Sequence, residues 1–398
     1  MQGVGSLVRG RRAAGVGPAT LVLGGVDLVH ALALAGVRPA LASPPTDPAR
    51  FSRFVGESLP RAGHFRDEPA LLQRMVEFAE RHDAPPALFF DSEADLALVS
   101  RARSRLAEYF RFCIADPALV DQTNDKQQFA QLAETAGLPT PRTVLVTEGK
   151  DLATARELSF PVVVKPLARR FRTDLNSAAK AVGVTLPAGL ADACAPLLAA
   201  GTAAIVQEQI PGGEDRIESY HAYVDEAGAV VGDFTGAKIR TVPLDYGDST
   251  AVRTTAASDV LELGRDICRR VALTGAVKID VKRGPRGELW LLEINLRPTL
   301  WHHLGAVAGM NLTALMHADL VGRPRPAQRG ARPDVVWVEP WTDFRASRQA
   351  GIPTATWLRF AGRADVRSGA AHGDYLPLAR SLPEHLARGL RRRARRSA

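Results

Sequence analysis

The most informative stretch of the chain is GAVKIDVKRGPRGELWLLEINLRP, residues 275–298. Apolar runs on both sides of a Gly-Pro-Arg-Gly segment predict two strands, at 277–282 and 288–295, joined by a tight turn. Side chains on a strand alternate between its faces, so Glu293, Asn295 and Arg297 are expected on one side. Asp280, on the neighbouring strand, can point the same way. The residues expected to face the core are Ile279, Val281, Leu292 and Ile294.

The polar face of this hairpin has two interpretations. Two carboxylates and an amide oxygen form an all-oxygen set, which is the kind that Mg²⁺ prefers. The same pattern is also typical of an ordinary amphipathic hairpin with a solvated outer face. The hairpin alone leaves both interpretations open.

Three further features place polar groups where they could meet a nucleotide. Lys126 begins a predicted helix at 124–136, and Lys165 ends an apolar strand, where a cation costs free energy unless it has an anionic partner. The segment 207–214 runs from a strand into a glycine turn, so its backbone donors and acceptors could meet a purine edge. Taken singly, each lysine is compatible with a solvated side chain and the segment with a plain turn.

The first third of the chain predicts a parallel sheet. An apolar run at 21–25 ends in two glycines before a helical pattern, and a second run at 87–90 lies between helical patterns at 68–81 and 93–110. Strands that alternate with helices predict parallel pairing under helical cover. The full dinucleotide-binding fingerprint is absent, so the glycine turn by itself is a weak nucleotide signal.

The order of these features resembles the ATP-grasp superfamily over about residues 21–321. The strongest matches are Val-Val-Lys-Pro at 163–166, Gln-Glu-Gln-Ile-Pro-Gly at 207–212 and Glu-Ile-Asn-x-Arg at 293–297. The resemblance implies an α/β and α+β protein, an ATP-grasp fold with an N-terminal parallel-sheet (pre-ATP-grasp) domain. The implied domains are an N-terminal α/β domain at 1–120, a small lobe at 121–200, a large lobe with the metal site at 201–323, and a C-terminal extension with a basic tail at 324–398.

The same resemblance implies a role for each matching residue. Two lobes close on ATP in this family, with lysines on the phosphates and carboxylates on Mg²⁺, which Mn²⁺ can replace. The implied ATP contacts are Lys126 and Lys165 for the phosphates, Gln207, Glu208 and Ile210 for the adenine, and Glu214 for the ribose. The implied metal ligands are Asp280, Glu293 and Asn295, with Arg297 beside them to steady a carboxylate or acyl-phosphate.

A second motif narrows the resemblance. Residues 238–247 match the Lys-x-Arg-x-x-Pro-x-x-Tyr-Gly segment of carboxylate–amine ligases that are similar to D-aspartate ligases, and segments at 357–359 and 373–378 agree less specifically. The match implies a ligase that joins a small carboxylate, amino-acid or peptide-like, to an amine through an acyl-phosphate. Lys238 and Arg240 would be cations in the cleft. The alternatives are an ATP-grasp enzyme with another acceptor, or a non-catalytic protein that binds nucleotides or nucleic acid.

The chain departs from the family pattern in two places. The loop after Lys165 carries arginines and no glycine between 167 and 180, so arginines and Lys180 stand where backbone donors would wrap the phosphates. His302 and His303 replace small residues after a tryptophan, and either shape the acceptor pocket or begin a polar helix.

Composition excludes several classes of protein. Of the net charge of +8, six charges come from arginines at 388–396, so the rest is nearly balanced and argues against a nucleic-acid partner. No long apolar run or signal peptide is evident, and three distant cysteines fit a reduced, cytoplasmic compartment. Serine-hydrolase and zincin motifs are absent. The resemblance leaves a homodimer open.

Overall fold

The computed structural model describes residues 19–61, 68–167, 181–371 and 373–382. Its first sheet is parallel, as the sequence predicts, with strand order β3-β2-β1-β4. The strands are β1 (Thr20–Leu23), β2 (Ala40–Ser43), β3 (Glu57–Pro60) and β4 (Ala87–Phe90). Helices cover it: α1 (Val26–Ala33), α2 (Glu68–Glu80), α3 (Glu93–Arg101) and α4 (Arg103–Ala107). β1 and β4 are buried along their whole length, which explains their continuous apolar runs.

A second, antiparallel sheet has the order β5-β8-β6-β7. Its strands are β5 (Thr143–Val146), β6 (Val162–Pro166), β7 (Val182–Val184) and β8 (Ala204–Glu208). The helices before and between them are α5 (Pro117–Asn124), α6 (Lys126–Thr135), α7 (Leu152–Ala155) and α8 (Leu190–Ala199). This small sheet has its own apolar core, built from β6, β8 and α8.

The third sheet has seven strands in the order β13-β12-β9-β10-β11-β14-β15. They are β9 (Ile217–Val224), β10 (Val230–Val242), β11 (Asp248–Thr255), β12 (Gly275–Arg283), β13 (Leu289–Asn295), β14 (Val336–Val338) and β15 (Val366–Arg367). Its helices are α9 (Ser258–Val271), α10 (Trp301–Ala308), α11 (Leu312–Leu320), α12 (Pro340–Gln349) and α13 (Thr354–Arg363). Residues after 323 therefore extend the large sheet through β14 and β15.

The parallel sheet and the large sheet share their apolar cores. One core joins Leu21 and Leu23 of β1 to Val277 and Ile279 of β12. A buried carboxylate, Asp27 of α1, adds polar links, because it accepts hydrogen bonds from three other segments. Its donors are His303 Nδ1 at 2.8 Å, Trp337 Nε1 at 3.2 Å and Ser368 Oγ at 2.6 Å.

Two elements differ from the sequence prediction. The helix expected at 93–110 ends at Arg101, because Ala102 leaves the helical conformation (φ −91°, ψ 13°) before a second short helix. The apolar pattern of the sequence also predicts a strand at 230–234, but β10 continues to Val242, because β11 pairs with it that far. In the described parts of the chain, no helix is both long and apolar enough to cross a membrane.

Candidate active site

One cavity of about 1020 Å³ receives side chains from strands of the second and third sheets and from the segment that follows β4. Eleven of the residues to which the resemblance assigns a role lie on its wall. These residues are Lys126, Lys165, Gln207, Glu208, Ile210, Glu214, Lys238, Asp280, Glu293, Asn295 and Arg297. The fold therefore brings together residues that are up to 171 positions apart in the sequence.

The predicted metal ligands lie on the hairpin β12–β13. Asp280 pairs directly with Glu293 across the two strands, so both carboxylates reach the same face. Asn295 Nδ2 donates to Glu293 Oε1 at 3.1 Å. Asp280, Glu293 and Asn295 therefore line the wall of the cavity.

The expectation for Leu292 is wrong, because this residue lines the cavity. The register shifts between Asp280 and Val281, and Val281 pairs with Leu291, whose side chain is fully buried. Such a bulge places two residues of one strand opposite one of the other, which breaks the alternation of faces. Ile279, Val281 and Ile294 face the core as predicted.

Lys278 is a cavity residue that the sequence analysis missed. Its Nζ lies 2.5 Å from Asp280 Oδ2 and 4.0 Å from Glu293 Oε1. Burial raises the pKa of Asp280, but Lys278, Lys238 and the hydroxyl of Ser219 have the larger, opposite effect. The net result is a pKa lowered to about 2. Asp280 is therefore ionised at neutral pH. The spacing Lys-x-Asp on one strand was the available signal, since residues i and i+2 share a face.

The two predicted phosphate lysines converge on the end of β6. Lys126, the first residue of α6, donates to the carbonyl oxygen of Pro166. Lys165 donates to Gln207 Oε1 at 3.0 Å, and Gln207 Nε2 in turn donates to Thr143 Oγ1 at 2.9 Å. Burial lowers the pKa of Lys165, although Glu293 and Glu214 act in the opposite direction.

The segment predicted to meet a purine follows β8 along the cavity. Gln207, Glu208 and Ile210 lie on its wall, but the carboxylate of Glu208 accepts from the backbone nitrogen of Ser159 at 2.8 Å. Glu214 follows the glycine turn and approaches Lys238, with 3.8 Å between Oε2 and Nζ. An acidic and a basic group thus face each other on this wall.

Arg240 does not line the cavity, in contrast to the expectation for it. The register of β10 against β11 shifts between Lys238 and Arg240, which turns the arginine away from the cleft. Its guanidinium makes a bidentate pair with the buried carboxylate of Asp343 on α12, at 2.9 and 2.8 Å. Asp343 also accepts from Thr250 Oγ1 and Trp357 Nε1, at 2.8 Å each.

The two histidines after the tryptophan also point elsewhere. Trp301 lines the cavity, while His302 and His303 are buried in the core beneath it. His303 pairs with Asp27, and burial lowers the pKa of His302 to about 4. Neither lines the cavity, because His303 contacts Asp27 of α1 and His302 lies against His221 of β9.

Arg297 reaches across to the end of β4. It donates to the carbonyl oxygen of Asp91 at 2.7 Å and lies 3.3 Å from Glu93 Oε1. Asp91 and Glu93 both lie on the cavity wall, and sequence analysis gave no role to either. Their contact with Arg297 depends on how two distant sheets pack, which no local pattern reveals.

Two predicted features lie outside the described residues. They are most of the glycine-free loop after Lys165, at 168–180, and the arginine-rich tail at 388–396. Within the described residues, no group of three or more His, Cys, Asp or Glu side chains is arranged to hold a metal. The predicted set instead combines two carboxylates with an amide, and its oxygen donors fit a hard cation such as Mg²⁺.

Comparisons with known proteins agree with this geometry. No family model matches the chain. It is 25% identical over 298 residues to the D-aspartate ligase of Enterococcus faecium (strain Aus0004), covering 71% of this chain and 70% of that protein. It is 26% identical over 206 residues to the D-alanine–D-alanine ligase of Pseudomonas fluorescens (strain Pf0-1), covering 49% of this chain and 62% of that protein.

Two solved structures resemble the whole arrangement of sheets. The ADP complex of an N5-carboxyaminoimidazole ribonucleotide synthetase has a TM-score of 0.63 at 18% identity and covers 84% of this chain and 85% of its own. The L-amino acid ligase from Bacillus licheniformis has a TM-score of 0.61 at 15% identity, with coverage of 80% and 79%. At these identities the likeness concerns the fold.

Proposed function

We propose that this chain, an ATP-grasp protein, is an ATP-dependent ligase that joins a carboxylate to an amine through an acyl-phosphate. The observation that carries the proposal is the single cavity in which two carboxylates, an amide and several cations meet. The names of its relatives, D-aspartate ligase and D-alanine–D-alanine ligase, support an amino-acid or peptide-like substrate.

ATP would lie between the small sheet and the large sheet. Lys126 and Lys165 would contact the phosphates, since both ammonium groups lie near the end of β6. The adenine would contact the strand end at Gln207, Glu208 and Ile210, partly through backbone atoms, with its ribose near Glu214. The hydrogen bond from Lys165 to Gln207 links the phosphate end of this site to the adenine end.

The carboxylate end of the cavity would hold the metal. Asp280, Glu293 and Asn295 offer oxygen atoms, and Lys278 already brings a positive charge within 4.0 Å of both carboxylates. Bound Mg²⁺, or Mn²⁺ in its place, would neutralise phosphate charge during phosphoryl transfer. Mg²⁺ at this position would share the two carboxylates with the ammonium of Lys278.

The chain's own groups would position the reactants. In the first step the substrate carboxylate attacks the γ-phosphorus of ATP, which gives an acyl-phosphate and ADP; in the second an amine attacks the acyl carbon and phosphate leaves. Lys238, Lys278 and Arg297 would stabilise the negative charge that moves between these groups. Arg297, fixed by the Asp91 carbonyl, would hold the acyl end.

The test of this function is product formation with Mg-ATP. Purified protein is incubated with pooled D- and L-amino acids and small carboxylates, and ADP, phosphate and product masses are measured. We expect one ADP and one phosphate for each product, whose mass equals acid plus amine minus water. ATP binding without any such product would contradict the ligase assignment, and a thioester or phosphorylated product would identify another acceptor.

Replacing Lys165 by methionine should weaken ATP binding by about 10- to 100-fold, because a hydrogen bond to a charged group contributes about 1.5–3 kcal/mol. Burial lowers the pKa of Lys165 because its ammonium is desolvated, and methionine removes that cost, so the melting temperature should change little. Calorimetric titration with ATP measures the affinity. Lys150→Met, at an exposed lysine of the same lobe, is the matched control. Equal affinity in both variants would remove Lys165 from the site.

Three further expectations concern the location of the protein, its oligomeric state and the class of its partners. A cytoplasmic location and a homodimer stay predictions. The balanced charge outside the tail still favours small-molecule substrates over nucleic acid.

A further inference from the structure

Asp91 lies at the point of the first sheet where the order of the strands reverses. The strand order β3-β2-β1-β4 places β1 beside β4, with the connections leaving toward opposite edges of the sheet. Ligands of open α/β sheets bind outside the carboxyl ends of the strands at such a switch point. Asp91 follows β4 directly, and Gly24 and Gly25 follow β1. This crevice opens into the cavity that holds the proposed ATP site.

The carboxylate of Asp91 is fixed against the backbone of the neighbouring strand end. Oδ2 accepts a hydrogen bond from the nitrogen of Gly25 at 2.7 Å. A Cβ atom on Gly24 would lie 2.7 Å from the Asp91 carboxyl carbon, so only glycine leaves room for the carboxylate. Its position is therefore set by packing and by one hydrogen bond, and the residue lies on the cavity wall.

Arg297 connects the backbone of Asp91 to the proposed reaction centre. Arg297 holds the Asp91 carbonyl, and it is the group proposed to steady the acyl-phosphate. Arg297 Nε and the hydroxyl of Thr299 are buried next to it, and neither has a hydrogen-bond partner among the described residues. Unpaired buried donors beside a carboxylate suit a substrate that carries both negative and positive groups.

Charged groups on three elements set the protonation of Asp91. Burial raises its pKa to about 6, while the Gly25 nitrogen and Arg297 oppose the shift. Asp95 of α3 and Asp27 of α1 raise it further, although Asp95 is paired with Arg61. Glu93 faces the same corner and is paired with Arg297. A carboxylate of this kind is ionised at neutral pH but is a stronger base than an ordinary aspartate.

We propose that Asp91 binds the ammonium group of the amine substrate and accepts its proton, which makes Asp91 a catalytic base of the second half-reaction. The inference rests on the proposed ligase function. The ammonium gives one proton to the Asp91 carboxylate, and the free amine nitrogen attacks the acyl carbon. The carbon–oxygen bond to phosphate breaks, and the proton shed by the new amide nitrogen leaves with the phosphate. The amine substrate therefore arrives as a cation with at least two protons on its nitrogen.

The test compares two amines in the Asp91→Asn variant. The amide keeps the shape of the side chain and an oxygen for the Gly25 hydrogen bond, so the melting temperature should be unchanged. With pooled amino acids as carboxylate and amine, the product rate should fall at least about 100-fold, which is typical for loss of a general base. With hydroxylamine, which is largely uncharged at neutral pH, hydroxamate formation should stay within about 3-fold of the wild-type rate.

The pH profile gives an independent measurement. Wild-type kcat/KM for the amino-acid amine should be flat from pH 7 up to the pKa of that amine and fall tenfold per unit below about pH 6, where Asp91 is protonated and no longer acts as a base. In Asp91→Asn the rate should keep rising with pH through the neutral range, because only the amine that is already deprotonated reacts. The matched control is Asp83→Asn, at an exposed loop residue before β4.

Each outcome decides between the assignments. A variant that makes peptide and hydroxamate at wild-type rates overturns the role of Asp91 and leaves the ligase function in place. A folded variant that loses both products also overturns it, because Asp91 would then act in acyl-phosphate formation. Wild-type protein that makes neither product with any carboxylate overturns the proposed function and this inference with it.

Discussion

Replacing Glu293 by glutamine is expected to lower ADP formation more than 100-fold while leaving the fold intact. The side chain of Glu293 is 54% exposed, so its charge contributes little to stability. Glutamine retains an oxygen for the hydrogen bond from Asn295, but it removes one negative charge from the proposed metal site. Loss of outer-shell partners alone costs 10–100-fold in metal affinity or activity, and a direct ligand should cost more.

The measurement for this variant is the rate of ADP release over a range of Mg²⁺ concentrations, together with the melting temperature. Glu226→Gln, a charge loss of the same kind at an exposed turn, should keep wild-type turnover. Full turnover by Glu293→Gln at low Mg²⁺, with unchanged melting, would refute the metal assignment of the hairpin.

Replacing Asp343 by alanine is expected to produce the largest loss of stability. Removing one partner of a buried ion pair costs about 3–5 kcal/mol, because the other charge stays buried without compensation. Arg240 would lose its bidentate partner, and Thr250 and Trp357 would lose their acceptor. With about 2–4 °C per kcal/mol for a domain of this size, the melting temperature should fall by roughly 10 °C.

The surface pair of Arg81 and Glu57 provides the control for this variant. Both side chains are about half exposed, and such pairs contribute about 0–1 kcal/mol, so Glu57→Ala should melt close to wild type. Thermal and urea unfolding measure both changes. A loss below about 1 kcal/mol in Asp343→Ala would mean that Arg240 finds water or another partner when the carboxylate is gone.

The positions of residues within one helix or hairpin were easier to predict from the sequence than the contacts between distant elements. The hairpin 275–298 was predictable because a strong turn and clear alternation fix both strands, and Asp280 indeed pairs with Glu293. Leu292 was misplaced because one bulge reverses the alternation beside it. Arg240 was misplaced for the same kind of reason, since its register shift is invisible in the pattern Lys-x-Arg.

Family resemblance extended the prediction to residues that no local pattern connects. Lys126 begins the helix α6 and Glu293 lies in the strand β13, yet both line the cavity. The resemblance did not reach Lys278, Asp91 or the buried histidines. His303 follows Trp301 by two residues, but the helix turns it toward Asp27, and only the packing of α1 against α10 determines that contact.

The sharing of cores between two of the three sheets has a consequence for nucleotide exchange. The parallel sheet and the seven-stranded sheet are joined by common apolar clusters and by the Asp27 links, whereas the small antiparallel sheet packs on a separate core. Interiors as dense as these do not slide past each other without breaking contacts. We therefore expect two rigid bodies, of which the small sheet moves relative to the other two. Asp91, Arg297 and the hairpin β12–β13 would keep their positions relative to one another. ADP would be released when the small sheet moves away from the cavity. The proposed amine site at Asp91 and Arg297 would keep its geometry throughout the reaction.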